Sequence, residues 1–187
     1  MFIDFLAMDL DVLVIALVLV AVFFVFFVEK DQQKVAPGFL ATGTIAGISG
    51  LDIVLKWPLP GSYNIVFGEP LVLFGVLLFF TGLALLKGWD LLSLGVFSLL
   101  TGIVVVLLGI RMMTLNMTSA PALAGVSYIL AGLGAILALP AYAWKQHKWL
   151  RIVVAVLVIV SALLFALTDY GAYWGHPAGF AKWKPAP

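Results

Sequence analysis

The sequence contains no cysteine, which excludes disulfide bonds, thiolate metal ligands and thiol catalysis. Charge is also scarce, because Asp, Glu, Lys and Arg make up only 10% of the 187 residues while hydrophobic residues make up 64%. Soluble domains carry about 25% charged residues, so this composition excludes an ordinary soluble domain. No nucleic acid is expected among its partners.

Long apolar runs account for much of the hydrophobic content. The runs 12–28, 91–110 and 152–168 contain no charged residue. Each approaches the ~20 residues that a membrane-spanning helix requires. The pattern predicts an all-α, polytopic membrane protein, a single domain over 1–187 whose six transmembrane helices contact the lipid bilayer. The predicted helices cover about 8–28, 38–56, 70–87, 90–111, 121–143 and 150–169.

Lysine and arginine are distributed unequally between the two ends of the predicted bundle. Basic residues are retained on the cytoplasmic side, so their distribution predicts orientation. The first, third and fifth connectors hold Lys30, Lys34, Lys87, Lys145, Lys148 and Arg151. The termini and the other connectors hold Lys56, Arg111, Lys182 and Lys184. Both termini are therefore predicted to lie on the outer side.

One outer connector, WPLPGSYNIVFGEP at 57–70, is rich in residues that break or start helices. Pro58 and Pro60 predict that the second helix ends near Trp57. The closing GEP predicts the start of the third helix, with a carboxylate beside the positive end of the helix dipole. The apolar residues between them favour a segment that folds back over the bundle, either as an interfacial cap or as a lid over a pocket.

Ionisable residues recur near the outer ends of three helices, at Asp52, Arg111 and Asp169. Such groups are costly at helix depth unless paired, and they tend to face the bundle interior. Because a guanidinium pairs bidentately with a carboxylate, Arg111 is predicted to pair with Asp52, Glu69 or Asp169. The pair is either architectural or part of a binding site. The candidate ligand-binding residues of an outer polar vestibule are Asp52, Tyr63, Glu69, Arg111, Asp169, Tyr170 and His176.

Two groups of glycines are spaced to lie on one side of a helix. Gly43, Gly47 and Gly50 belong to the second predicted helix, and Gly171, Gly175 and Gly179 follow the sixth. Small residues at this spacing favour close helix approach, in the tail only if the tail is helical.

Histidine is nearly as scarce as cysteine, with His147 and His176 as its two examples. They are predicted at opposite membrane faces, so bis-histidine haem ligation within one chain would have to cross the ~30 Å hydrocarbon layer. No cofactor and no metal site are predicted. Haem held by one His and one Met, or copper held by His176 with methionines, are the alternatives left open. The methionines concerned are Met112, Met113 and Met117.

Three stretches, WPLPGSYNIVFGEP, LLKGWD at 85–90 and YWGH at 173–176, carry a resemblance to a known family. The chain resembles a family of prokaryotic integral membrane proteins described as a domain of unknown function, family 981. The resemblance covers nearly the whole chain, from MFIDFL to the AKWKP tail. It implies a multi-pass protein of a prokaryotic cell membrane, and it implies no activity, cofactor or site residue.

These observations favour a membrane protein that is not an enzyme. It would bind a small ligand, a lipid or an ion, or serve as an accessory subunit of a membrane complex or as a homo-oligomer. A secondary transporter or proton-coupled carrier is the first alternative, although no charge is predicted near the midplane, where carriers hold their substrates. A cofactor-binding redox subunit is the second alternative.

Overall fold

The computed structural model describes residues 5–183. Six of its helices are long and apolar enough to cross a membrane, which confirms the predicted all-α class. The orientation of the termini stays a prediction, and Lys184, one of the basic residues behind it, lies outside the described residues. The helices are α1 (Phe5–Val22), α2 (Ala36–Lys56), α3 (Glu69–Lys87), α4 (Leu92–Thr114), α5 (Pro121–Ala143) and α6 (Lys148–Gly179).

Two short π-helical segments extend these helices. Phe23–Phe27 continues α1, and Asn64–Gly68 leads into α3. The third span therefore begins at Asn64, six residues before the predicted start at residue 70. Pro70 has no N–H to donate to the carbonyl of Val66, four residues earlier, and that carbonyl accepts a hydrogen bond from the Tyr128 hydroxyl of α5 instead. π-Helical segments are rare and occur frequently at functional sites.

The sixth helix is longer than predicted. It covers 32 residues and ends at Gly179 instead of residue 169. At ~1.5 Å per residue it measures about 48 Å, which exceeds the ~30 Å thickness of a hydrocarbon core. The last turns of α6 therefore project beyond the bundle, and Trp174 in this part is 91% exposed.

The six helices form a ring in chain order. Each packs against the helices before and after it in sequence, and α1 packs against α6 to close the ring. The closest pairs are α2 with α3 and α4 with α5. Among the described residues, helices on opposite sides of the ring make few close contacts. No helix of residues 5–183 therefore fills the middle of the ring.

Glycines bring the two closest pairs into backbone contact. A Cβ on Gly75 of α3 would collide with the backbone of Gly47 on α2. A Cβ on Gly102 of α4 would lie 2.5 Å from the carbonyl oxygen of Gly132 on α5. The predicted close approach of α2 is thus confirmed, and glycines bring α4 and α5 together in the same way.

The tail glycines do not have this role. Gly171, Gly175 and Gly179 are helical, but a Cβ on any of them would meet no atom of the described residues within 4 Å. The prediction that they favour close helix approach is wrong within this part of the chain, because α6 has passed the ends of its neighbours.

Candidate functional site

The connector between α2 and α3 is held by one buried side chain. The Asn64 side-chain oxygen accepts a hydrogen bond from the Leu59 amide at 2.8 Å. Its Nδ2 donates to the carbonyl oxygens of Leu59 at 2.5 Å and Gly61 at 2.9 Å. Asn64 has no exposed surface, so these bonds fix the turn before the π-helical segment. As predicted, α2 ends beside this turn, at Lys56 with Trp57 in the left-handed region.

The π-helical segment after this turn is tied to the bundle. The carbonyl oxygen of Val66 accepts a hydrogen bond from the Tyr128 hydroxyl of α5 at 3.2 Å. The Phe67 ring stacks on Tyr63 with the ring centroids 6.0 Å apart. Phe67 also borders empty space inside the ring. Of the two predicted roles for this connector, the structure favours the lid, because a cavity lies beneath it.

A central cavity of about 130 Å³ occupies the middle of the ring. Its lining is almost entirely apolar and comes from all six helices. Phe23 and Phe24 of the first π-helical segment contribute to it, as does Phe67 of the second. Apolar cavities near 150 Å³ bind benzene in other proteins, so the space suits a hydrocarbon group.

A second cavity of about 140 Å³, the terminal cavity, lies at the end of the ring where α1 begins. The two cavities adjoin, since the same side chains line both: Leu13, Phe67, Leu71, Tyr128 and Phe165. The terminal cavity also has polar lining residues, which are Asp9, Thr118, Ser119 and Thr168. The combined space is therefore apolar in the middle of the bundle and polar at one end.

Asp9 is the buried carboxylate of this space. It is only 4% exposed, and neither of its carboxylate oxygens accepts a hydrogen bond from any described residue. Ser49 of α2 faces it, but without normal hydrogen-bond geometry. The hydroxyl of Thr118 is also buried and has no hydrogen-bond partner within the described chain. A buried charge is costly unless it is paired, so this part of the cavity is suited to a ligand that donates hydrogen bonds.

Asp9 was missed by the sequence analysis, although the sequence contains the signal. It lies on one helical face with Leu13, Ala16, Leu17 and Val20, at spacings of three and four residues, and all of these side chains line the cavities. An acid aligned with an apolar stripe indicates an inward-facing carboxylate. The predicted first helix begins at residue 8, which places Asp9 at the helix end rather than inside the bundle.

The predicted pairing of Arg111 is wrong. Asp52 forms an ion pair with Lys56, one turn along the same helix. Arg111 is exposed and forms no ion pair with a described residue. The physical reason is the ring, which separates α4 from α2 and leaves the local lysine as the nearest partner of Asp52.

The remaining predicted site residues occupy different environments at this end. Glu69 and Tyr170 are exposed, and Tyr63 is partly buried under the stacking contact with Phe67. Asp169 is fully buried on α6, directly after the cavity-lining Thr168. His176 is partly buried on the projecting part of α6. Their roles as ligand contacts stay predictions.

The opposite end of the ring carries ordinary ion pairs. Arg151 of α6 lies 3.2 Å from Glu29, and the Lys34 ammonium donates to Asp31 at 2.8 Å. This hydrogen bond and the lysine charge lower the pKa of the Asp31 carboxyl. These contacts fix the ends of helices and lie outside both cavities.

Metal chemistry has little support in the described part of the chain. No group of three or more His, Cys, Asp or Glu side chains is placed to hold a metal ion within residues 5–183. Asp9 alone supplies too few ligands for a hard cation, which takes six or more oxygens.

The described chain consists of six apolar helices closed into a ring around a partly polar cavity. Helices of this length and composition suggest a multi-pass membrane protein. The chain belongs to the family described as a protein of unknown function (DUF981), whose family model matches residues 1–179. This confirms the family resemblance noted from the sequence over residues 1–179. No curated protein and no solved structure matches the chain.

Proposed function

We propose that this protein is a multi-pass membrane protein that binds a small lipid-like ligand inside its helical ring. The observation that carries the proposal is the pair of adjoining cavities inside the ring, about 130 and 140 Å³, the first of which is lined by all six helices. Ligand sites are typically concave and mostly apolar, with a small number of polar groups that fix orientation. The cavities and Asp9 have this combination.

Two features argue for a lipid-like occupant rather than a polar one. The central cavity offers few polar groups, and its Ser98 hydroxyl is already bonded to the carbonyl oxygen of Ala135 at 2.8 Å. The adjoining terminal cavity is bordered by Asp9 and Thr118. An amphiphile would place its chain in the first space and its polar end in the second.

The test has two parts. The first identifies the small molecules that the purified protein retains, and the second fills the central cavity with a larger side chain. Protein is extracted in a mild detergent, and bound small molecules are measured by native mass spectrometry and lipid extraction. Ala131→Leu on α5 adds bulk to the central cavity and should reduce retention at least about tenfold, because the added side chain occupies the space that the ligand's apolar chain would fill. Equal retention by this variant would contradict the proposal.

A matched control lies on the same helix. Leu133 points away from the cavities and is 37% exposed, so Leu133→Phe adds comparable bulk on the outer surface of the ring. It should leave retention unchanged. Thermal unfolding of both variants shows whether a loss of ligand merely follows a loss of fold.

Location and assembly belong to the same proposal. The apolar helices and the family resemblance support a prokaryotic cell membrane, and the excess of Lys and Arg in the odd-numbered connectors supports both termini outside. Partners would be the bilayer lipids, other subunits of a membrane complex or further copies of the chain. Accessibility labelling of single cysteines at Ser62 and Gln146 tests the orientation, since the chain has no native cysteine.

A proton-coupled carrier is the second candidate. The observation that favours it is the buried carboxylate of Asp9 inside the first span, since such groups form proton relays in carriers. Proton flux into liposomes that contain the protein separates the candidates. A binding protein gives no flux above protein-free liposomes, whereas a carrier gives flux that Asp9→Asn abolishes.

A further inference from the structure

We infer that the Asp9 carboxylate and the Thr118 hydroxyl form the head-group site for a single-chain amphiphile with a primary ammonium head. This inference rests on the proposed function, because it requires a ligand inside the ring, and it names the ligand's chemical class. Its geometric basis is that both side chains line the terminal cavity and that neither makes a hydrogen bond of normal geometry with a described residue, although the Ser49 hydroxyl of α2 faces Asp9.

The preference for an ammonium group follows from what the protein already provides. An ionised carboxylate can only accept hydrogen bonds. No Lys, Arg or His of the described chain pairs with Asp9, and the nearby Tyr128 hydroxyl donates to the Val66 carbonyl instead. A primary ammonium has three donors, enough for the two Asp9 oxygens and the Thr118 oxygen, and it compensates the buried negative charge.

The preference for a single chain follows from the shape of the apolar space. Below Asp9, the side chains of Leu13, Leu17 and Val20 follow one face of α1 from the terminal cavity into the central one. Each cavity is close to the volume that accepts one benzene ring, so together they hold about ten to twelve carbon atoms. That volume is filled by one chain of this length, so the two cavities suit a single-chain amphiphile.

The experiment compares two probes of equal chain length, dodecylamine and dodecanol. The protein is held in nanodiscs of a zwitterionic lipid, and binding is measured by native mass spectrometry against nanodiscs without protein. The amine is protonated near pH 7, since alkylammonium groups have pKa values of about 10. We expect the amine to bind at least about tenfold more tightly than the alcohol, because a charge-assisted hydrogen bond is stronger than a neutral one.

The variants assign this preference to the two side chains. Asp9→Asn keeps the shape and removes the charge, and it should weaken amine binding at least about tenfold while changing alcohol binding less than about twofold. Thr118→Val should weaken amine binding by about threefold to tenfold. Asp11→Asn is the matched control, because Asp11 lies two residues further on α1 and does not line either cavity, and it should change nothing.

The outcomes separate this inference from the proposed function. Loss of both probes in Ala131→Leu, with equal binding of amine and alcohol to the wild type, overturns the head-group site while ligand binding stands. Retention of both probes in Ala131→Leu overturns the proposed function as well. If Asp9→Asn still prefers the amine, groups other than Asp9 cause the preference, and the inference is overturned. Thermal unfolding shows whether each variant is folded. If Asp9→Asn does not fold, the loss of amine binding in Thr118→Val still tests the inference.

Discussion

The charges on the rim of the ring and the carboxylate inside it differ in how they are compensated. Asp52 on the rim has a lysine partner one turn away, and Arg111 is exposed. Asp9 is buried beside the terminal cavity and has no ion pair and no hydrogen bond of normal geometry within residues 5–183. The comparison teaches that an ionisable residue near a helix end indicates a binding site only when it is buried away from water and from a charged partner.

The energies differ accordingly. Exposed ion pairs contribute about 0–1 kcal/mol, because water already solvates both charges. A buried charge without a partner costs several kcal/mol, which a hydrogen-bond donor in the cavity would offset. Substitutions on the rim should therefore have small effects, whereas changes to the ring wall and its lid should have large ones.

The largest effect is expected where the wall has no spare room. Gly75→Leu would force a side chain into the backbone of Gly47, so it should cost at least ~3 kcal/mol of folding free energy or prevent folding. The measurement is the thermal unfolding midpoint and the monodisperse fraction in detergent. Gly171→Leu is the matched control, since no described atom lies within 4 Å of its added Cβ. Equal behaviour of the two variants would refute the close contact of α2 and α3.

The next largest effect concerns the lid. Asn64→Ala removes the three hydrogen bonds that hold the turn and leaves partly buried backbone groups of the connector without these partners, so it should destabilise the protein by about 2–3 kcal/mol. Faster proteolysis within 57–63 should accompany the loss. Ser62→Ala, at an exposed position in the same turn, should change neither quantity. If Asn64→Ala unfolds like the wild type, the turn does not depend on this side chain.

An intermediate effect is expected at the opposite end of the ring. Arg151 is buried but its partner Glu29 is 52% exposed, so solvent screens the pair. A double-mutant cycle with Arg151→Met and Glu29→Gln should give a coupling of about 1 kcal/mol. A coupling indistinguishable from zero would show that Arg151 is stabilised by packing alone.

The smallest effect is expected for the rim itself. The triple variant Asp52→Asn, Glu69→Gln and Arg111→Gln should change the unfolding free energy by less than about 1 kcal/mol, because all three side chains are at least partly exposed. It should also leave ligand retention unchanged. Loss of the ligand in this variant would reverse the comparison and restore the vestibule predicted from the sequence.

Much of the fold follows from local features of the sequence. The uncharged run 12–28 supplies most of the first span, Leu6–Phe27, and the end of α2 at Lys56 follows from the prolines that come after it. The packing role of Gly47 also follows from its spacing. The length of α6 does not, because Gly171, Gly175 and Pro177 are residues that indicate an earlier helix end, yet the helix continues through them to Gly179.

The sequence by itself determined six apolar helices and their approximate ends, because hydropathy and helix-breaking residues act locally along the chain. Only the tertiary structure decided that α1 meets α6 and that the helices enclose a cavity. The same closure places Asp9 inside and Arg111 outside. Which face of a helix is buried depends on segments far away in sequence, and packing between them sets it.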